Sequence, residues 1–254
     1  MNLRFIGTGS LGSFRIRNKL SRDYRRFSTL LIDEVLLIDP SEDIFEFEES
    51  FMLSGIYSGV EAVLITHSHL DHLSISALER LAAKRPITVY CDTAIAHMLL
   101  DVKNVSVSQI HPFLGFRIGE YEILPIPANH KTDIPKEIPY NFVIRRDKTI
   151  FYGLDGAWIT PDALGILEEL KPNAYVLECA NTGDYSRECV LHNNLDMVFA
   201  IKSIVESAKA HSENSKFIIS HIPTGKKHPT HEMLSLKTAE QGVRVAYDGY
   251  YLAI

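Results

Sequence analysis

Residues 64–74 read "LITHSHLDHLS". Four side chains able to bind a metal, His67, His69, Asp71 and His72, fall within six positions. The stretch follows "EAVLIT" (61–66), an apolar run of strand length. It precedes "ISALERLAAK" (75–84), where Ile75, Leu78 and Leu81/Ala82 recur at helical spacing behind a Ser74 N-cap. The four residues are therefore expected on an irregular loop between a strand and a helix. On a helix His67 and His69, at i and i+2, would point apart. On a loop leaving a strand both can turn inward. A four-coordinate zinc with one open position takes three protein ligands. Four local ligands are too many for one such ion and too few for two, so a second set must come from elsewhere.

Distant strand ends offer that set. "EYEILPIPANH" ends at His130, "YNFVIRRDKTIFYGLD" ends at Asp155 and "KFIISH" ends at His221. A rigid sheet is a good support for ligands gathered from far apart in sequence. Seven residues then serve two ions. His67, His69 and His130 hold one, Asp71, His72 and His221 hold the other, and Asp155 bridges them. Two-metal hydrolytic sites of this kind hold their ions about 3.5–4 Å apart. His228 and His231 in "GKKHPTH" compete with His221, but they flank Pro229 in a loop while His221 ends a clear strand. His97, His111 and His211 read as structural or exposed. His192, between the polar loop "NTGDYSRE" and a helix, has two readings: a helix-start residue, or a general acid beside the metals.

The rest of the chain alternates strands and helices. "NLRFIG" opens as a strand stopped by the glycines of "GTGSLG". "FSTLLID" and "EVLLIDP" form a hairpin turning at Asp33-Glu34. "ITVYC", "VSVSQI" and "NAYVLECA" read as strands. "TAIAHMLLD", "TPDALGILEEL", "LDMVFAIKSIVESAKAH" and "THEMLSLKTAEQ" read as helices, and "VRVAYDGYYLAI" closes as two strands. No linker, repeat or low-complexity segment interrupts the pattern, so residues 1–254 are read as one domain.

The composition is that of an ordinary globular protein, 46% hydrophobic and 23% charged. A formal net charge of −6 argues against a role built on gripping nucleic acid. Cys91, Cys179 and Cys189 make no CxxC pair, which fits a reducing, cytoplasmic setting. The first residues do not read as a signal peptide, and no apolar run reaches the ~18 residues of a membrane span. Arg15, Arg17, Lys19, Arg22, Arg25 and Arg26 form a basic stretch, and Lys226 and Lys227 follow His221. Most such cations are solvated. Arg26 and Lys226 are the candidates for contact with an anionic substrate.

"THSHLDH", "ANH", "LD" and "SH", in that order over nearly the whole chain, resemble the metallo-β-lactamase superfamily. The opening "RFIGTGS" and the closing "AYDG" are similar to the branch that contains PhnP-type cyclic phosphodiesterases and tRNA 3′-processing nucleases. The resemblance implies an α/β (α+β) four-layer αββα sandwich with two divalent ions, Zn2+ or Mn2+, at one edge. It places Asp39 of "LLID" just before the metal loop and gives His192 the role of proton donor. Three departures narrow it. Asp155 stands where true β-lactamases carry Cys, so β-lactam hydrolysis is not expected. "GSFRIRNKLSRDYRRFS" lacks the cysteines of the phosphonate-pathway enzymes' structural zinc site, and no basic RNA-binding arm is evident.

The expected function is hydrolysis by a dinuclear site, with a hydroxide held between the ions and oriented by Asp71 and Asp155. The expected substrate is a small cyclic or nucleotide-like phosphodiester. A lactone or thioester hydrolase, an RNA nuclease and a non-catalytic metal-binding protein are the alternatives. The reach of the chain past "YYLAI" leaves no flavin domain to expect, and a homodimer stays open.

Overall fold

The computed structural model describes all residues except 12–15, 182 and 184–186. Among the described residues fourteen strands divide into two seven-stranded sheets. The first sheet holds β1 (Asn2–Gly7), β2 (Thr29–Ile32), β3 (Leu36–Ile38), β4 (Ala62–Leu64), β5 (Ile87–Cys91) and β6 (Val105–Gln109), with β14 (Tyr251–Ala253) beside β1. The second holds β7 (Phe116–Ile118), β8 (Tyr121–Pro127), β9 (Tyr140–Arg145), β10 (Thr149–Gly153), β11 (Ala174–Glu178), β12 (Lys216–Ser220) and β13 (Val243–Val245). Helices α1 (Ile44–Ser50), α2 (Ile75–Ala82) and α3 (Thr93–Met98) come from the first half of the chain. Helices α4 (Pro161–Leu170), α5 (Leu195–Ser207) and α6 (His231–Ala239) come from the second.

Period-two alternation builds the layers. Leu36 and Ile38 point into a core shared with Phe142, Ile144, Ile150, Tyr152 and Val176 of the second sheet. Leu37, between them, points the other way and packs with Phe47 of α1, Leu78 of α2 and Ile95 of α3. On the far side Phe151, Tyr175 and Phe217 pack with Leu167 of α4, Val198 and Ile201 of α5 and Leu234 of α6. Helix, sheet, sheet, helix is the αββα order that the resemblance implies. Because both sheets are covered on both faces, their strands read as near-continuous apolar runs.

Most elements fall where the sequence places them. Ser74 caps α2 by accepting from Ala77 N at 3.2 Å, and Thr160 caps α4 with Pro161 in its first turn. Two elements go beyond the sequence reading. α1 buries only Ile44 and Phe47 in two turns, too little periodicity to stand out. β7 is a three-residue edge strand with no fully buried residue. No helix among the described residues is long and apolar enough to cross a membrane.

Pairing fixes where strands end. β3, β4, β5 and β6 run parallel, as do β10, β11, β12 and β13. β8 is antiparallel to β9, which is antiparallel to β10, so β8 ends at the same edge as β10. Asp39, His67, His130, Asp155, Glu178 and His221 all follow or close such strands. In open α/β sheets the crevice beyond the carboxyl ends of the strands is where ligands bind.

Candidate metal centre

The seven residues singled out from the sequence converge at this edge, in two groups that share Asp155. His67, His69, His130 and Asp155 form one, and Asp71, His72, Asp155 and His221 form the other. In the first group His67 Nε2 lies 2.9 Å from His69 Nδ1 and 3.3 Å from Asp155 Oδ2, and His130 Nε2 lies 3.3 Å from His69 Nδ1. In the second, His72 Nε2 is 2.7 Å from Asp155 Oδ2, and His221 Nε2 is 2.9 Å from Asp155 Oδ1. Both imidazole nitrogens are 3.8 Å from Asp71 Oδ2. Ligands of a tetrahedral zinc with bonds of about 2.0–2.1 Å stand about 3.3 Å apart. The observed spacings scatter around that edge.

The far ring nitrogens explain why these faces are free. Thr66 Oγ1 donates to Asp39 Oδ2 at 2.8 Å and so accepts from His67 Nδ1 at 3.0 Å. His72 Nδ1 donates to Asp39 Oδ2 at 2.8 Å. Ser28 Oγ donates to the Gly9 carbonyl at 3.0 Å and accepts from His221 Nδ1 at 2.9 Å. His130 Nδ1 faces the Leu191 carbonyl at 3.4 Å. Each of these partners takes up Nδ1 and leaves Nε2 facing inward as the nitrogen a metal would claim. His72 Nε2 and Asp155 Oδ1 are buried without a hydrogen-bond partner among the described residues. Buried polar atoms are rarely left so. The donor types, their spacing and these orphaned atoms fit two divalent cations.

The electrostatics agree with most of the ligand roles. Burial pushes His67 down to about 4, and burial pushes His130 down to about 3, so both stay neutral, the form that binds a metal. Burial would raise Asp155, but His221 and His72 outweigh it and hold the carboxyl well below its usual range. His72 differs. Burial would lower it, yet Asp155, Asp71 and Asp39 raise it well above an ordinary imidazole, so a cation binding there displaces a proton. Strain marks the same edge: Asp39, Asp155 and His221 have φ of 53°, 49° and 55°, in the left-handed region that non-glycine residues rarely adopt.

His192 sits beside Asp155, with Nδ1 3.3 Å from Asp155 Oδ1 and 3.5 Å from Glu178 Oε1. A short 3-10 turn at Arg187–Val190 leads to it, and His192 N donates to the Glu188 carbonyl at 2.8 Å. Glu178 is fully buried, and its Oε1 accepts from Asn193 N and its Oε2 from Ala180 N, each at 2.8 Å. Sequence reasoning missed Glu178. The signal was present, because Glu178 closes an apolar strand as the ligands do.

The expected substrate contact at Arg26 is corrected. Its side chain is fully buried, paired with Asp248 and Glu46 at 3.1 Å each, and stacked near Tyr24, Phe47 and Phe51. Arg25 is buried against Thr8, Ala246 and His231, and Arg22 lies over Tyr247. Arg15 lies outside the described residues. Lys226 is exposed in a turn after His221. His231, the competitor of His221, is buried beside Arg25 and Ser235, outside both ligand groups.

The sequence matches the beta-lactamase superfamily domain over residues 35–245. No curated protein matches it. Among solved structures the fold is similar to the metallo-beta-lactamase fold protein YhfI from Bacillus subtilis, at 17% identity and TM-score 0.75, covering 99% of this chain and 98% of that one. Zn2+-bound PqqB from Methylobacterium extorquens superposes with TM-score 0.75 at 17% identity over 100% of both chains. Yeast PDE1 does so with TM-score 0.67 at 11% identity, over 100% of this chain and 99% of that one. With its family match spanning residues 35–245 and its αββα sandwich, the chain belongs to the metallo-β-lactamase superfamily.

Proposed function

We propose that the chain is a hydrolase with two divalent ions, Zn2+ or Mn2+, acting on a small anionic phosphodiester of cyclic or nucleotide-like type. The observation that carries this reading is the division of seven donors into two sets joined at Asp155, with the His192 imidazole 3.3 Å from that shared carboxylate. Bound in the two sets, the cations would supply Lewis-acid activation of water and polarisation of the scissile bond.

The chain's own residues do the rest. Asp71, whose Oδ2 accepts from Leu11 N at 2.8 Å, and Asp155 are fixed acceptors that orient the nucleophile's proton. Burial would lower His192, but Asp155 and Glu178 raise it to about 10. With a cation on Asp155, Glu178 remains to hold the imidazole protonated. A protonated imidazole acts as a general acid toward the leaving oxygen. That task suits an alkoxide leaving group, which departs poorly unless protonated, and suits it better than a thiolate. Lys226, exposed in the turn after His221, is the remaining candidate for holding a phosphate oxygen.

The test is turnover by protein loaded with Zn2+ or Mn2+, offered bis-p-nitrophenyl phosphate and a chromogenic lactone. Hydrolysis of the phosphodiester is expected. Turnover of the lactone alone would remove the phosphodiester reading and keep the hydrolase.

A further inference from the structure

The loop that follows His130 crosses from the second sheet to the metal loop of the first. Tyr140 N, at the start of β9, donates to the Thr66 carbonyl at 2.9 Å. Glu137, in a turn closed by its own N–H on the Ile134 carbonyl, reaches Ser68 twice. Its Oε1 accepts from Ser68 N at 2.7 Å and its Oε2 accepts from Ser68 Oγ at 2.6 Å. Glu137 is 8% exposed. Short bonds to a buried carboxylate are charge-assisted and stronger than neutral ones.

Ser68 stands between His67 and His69. Turning Ser68 outward to Glu137 turns both flanking imidazoles inward, where their facing nitrogens meet at 2.9 Å. The third imidazole of that group, His130, is carried by the loop that carries Glu137. One carboxylate therefore ties together the two segments, from opposite sheets, that supply three ligands of one group. Asp133, on the same loop, does not substitute: it is 93% exposed and 4.0 Å from His69. The other group is braced independently, through Leu11 N on Asp71, Asp39 on His72 and Ser28 on His221.

We propose that Glu137 is a positioning residue for one metal position of the two, the one formed by His67, His69 and His130. The inference rests on the dinuclear reading of the site and is independent of the substrate.

The experiment titrates the metal-free full chain with Zn2+ against a chromogenic chelator, with thermal unfolding of the metal-free form as a second readout. The parent is expected to take up two ions. Glu137→Ala should bind one ion as the parent does and the other about 10–100-fold more weakly, the range typical of lost outer-shell partners. Its pattern should match His69→Ala and differ from His221→Ala. Glu137→Gln should restore the parental pattern, because its amide oxygen still accepts from Ser68 N and its NH2 donates to Ser68 Oγ. Ser68→Ala, which removes one bond and keeps the loop, should weaken the same ion by less, and it decides the matter if Glu137→Ala does not fold. Parental uptake of both ions by Glu137→Ala or, failing that, by Ser68→Ala would overturn the proposal, as would equal weakening of both ions. Uptake of fewer than two ions by the parent would defeat the dinuclear reading itself, a separate outcome.

Discussion

At His192 two buried carboxylates converge on one ring nitrogen, and only one of them belongs to the ligand set. Removing the imidazole should therefore leave metal uptake intact while slowing the chemistry. His192→Ala is expected to lower kcat for a phosphodiester with a poor leaving group by about 10²–10⁴-fold, the usual range for a lost general acid. Glu178→Gln should lower it less and move the basic limb of the pH–rate profile toward lower pH. Steady-state kinetics with aryl esters of graded leaving-group pKa would check both. An unchanged rate for the poorest leaving group in His192→Ala would exclude the acid role. The candidate ligands were legible because His67, His130, Asp155 and His221 each close an apolar run, and His69, Asp71 and His72 crowd the loop behind the first of them. Arg26 was not. Its partner Asp248 lies 222 positions away, and nothing in a local run of cations tells a solvated stretch from one that folds inward.

At the scale of elements, strand ends did the predicting and short elements escaped it. α2, α4 and α5 carry N-caps, Ser74, Thr160 and Asn194, of which Ser74 is the one read from the sequence. α1 and β7 are too short for a period to develop, and their burial comes from distant partners. The β2–β3 hairpin is legible and also imperfect. Val35 N donates to the Ile32 carbonyl at 3.0 Å around Asp33 and Glu34, whose φ values are 48° and 62°. Both central residues at positive φ match the type I′ pattern, which favours Asp-Gly or Asn-Gly. Asp33 earns its place by accepting from Asn2 N, Asn2 Nδ2 and Tyr121 Oη. Among the described residues Glu34 makes only a loose contact with Arg4, at 3.9 Å, in an exposed position. The left-handed conformation costs a non-glycine residue about 1–2 kcal/mol, and glycine's extra chain entropy returns part of that. Glu34→Gly is expected to stabilise the protein by ~0.5–1 kcal/mol in urea unfolding. A destabilised variant would show that the Arg4 contact outweighs the strain.

For the whole molecule, the two halves repeat one plan. Each begins with antiparallel strands, continues with parallel ones and packs three helices on the outer face. The layer count could be inferred from resemblance. The seam between the halves could not, because it is made of contacts between residues from 69 positions apart, as Ser68 and Glu137 are, to 221, as Arg25 and Ala246 are. Part of that seam is polar. Arg25 donates to Thr8 Oγ1 at 2.7 Å and to the Ala246 carbonyl at 2.8 Å, and it lies 3.4 Å from His231 Nδ1. Asp23 accepts from His231 N at 2.6 Å, Ser235 Oγ lies 3.3 Å from Nε2, and the Tyr247 ring stands edge-on. Burial, then the positive charges of Arg25 and Arg22, push His231 from 6.5 down to about 4. Its place in the first turn of α6 opposes a positive charge further. Below about pH 6.5 the unfolded chain takes up a proton that the folded chain refuses until about pH 4, so this group's stabilising contribution is complete above 6.5 and drains away as the pH falls through that window. Asp248, raised to about 6 by burial, pulls the other way between its unfolded and folded values. It is common to the parent and to His231→Asn, so it cancels in their comparison. The stability gap between parent and His231→Asn should therefore shrink from about pH 7 to about pH 5, with a slope below the full ~1.4 kcal/mol per pH unit because the unfolded imidazole is only partly protonated over that range. Urea unfolding of both proteins, each stripped of metal so that ligand protonation is the same in the two, measures that slope. A gap that stays constant with pH would show that His231 takes up its proton in the fold as it does in the unfolded chain, and a gap that widens toward pH 5 would show that it is protonated in the fold and that the seam holds a charged pair instead.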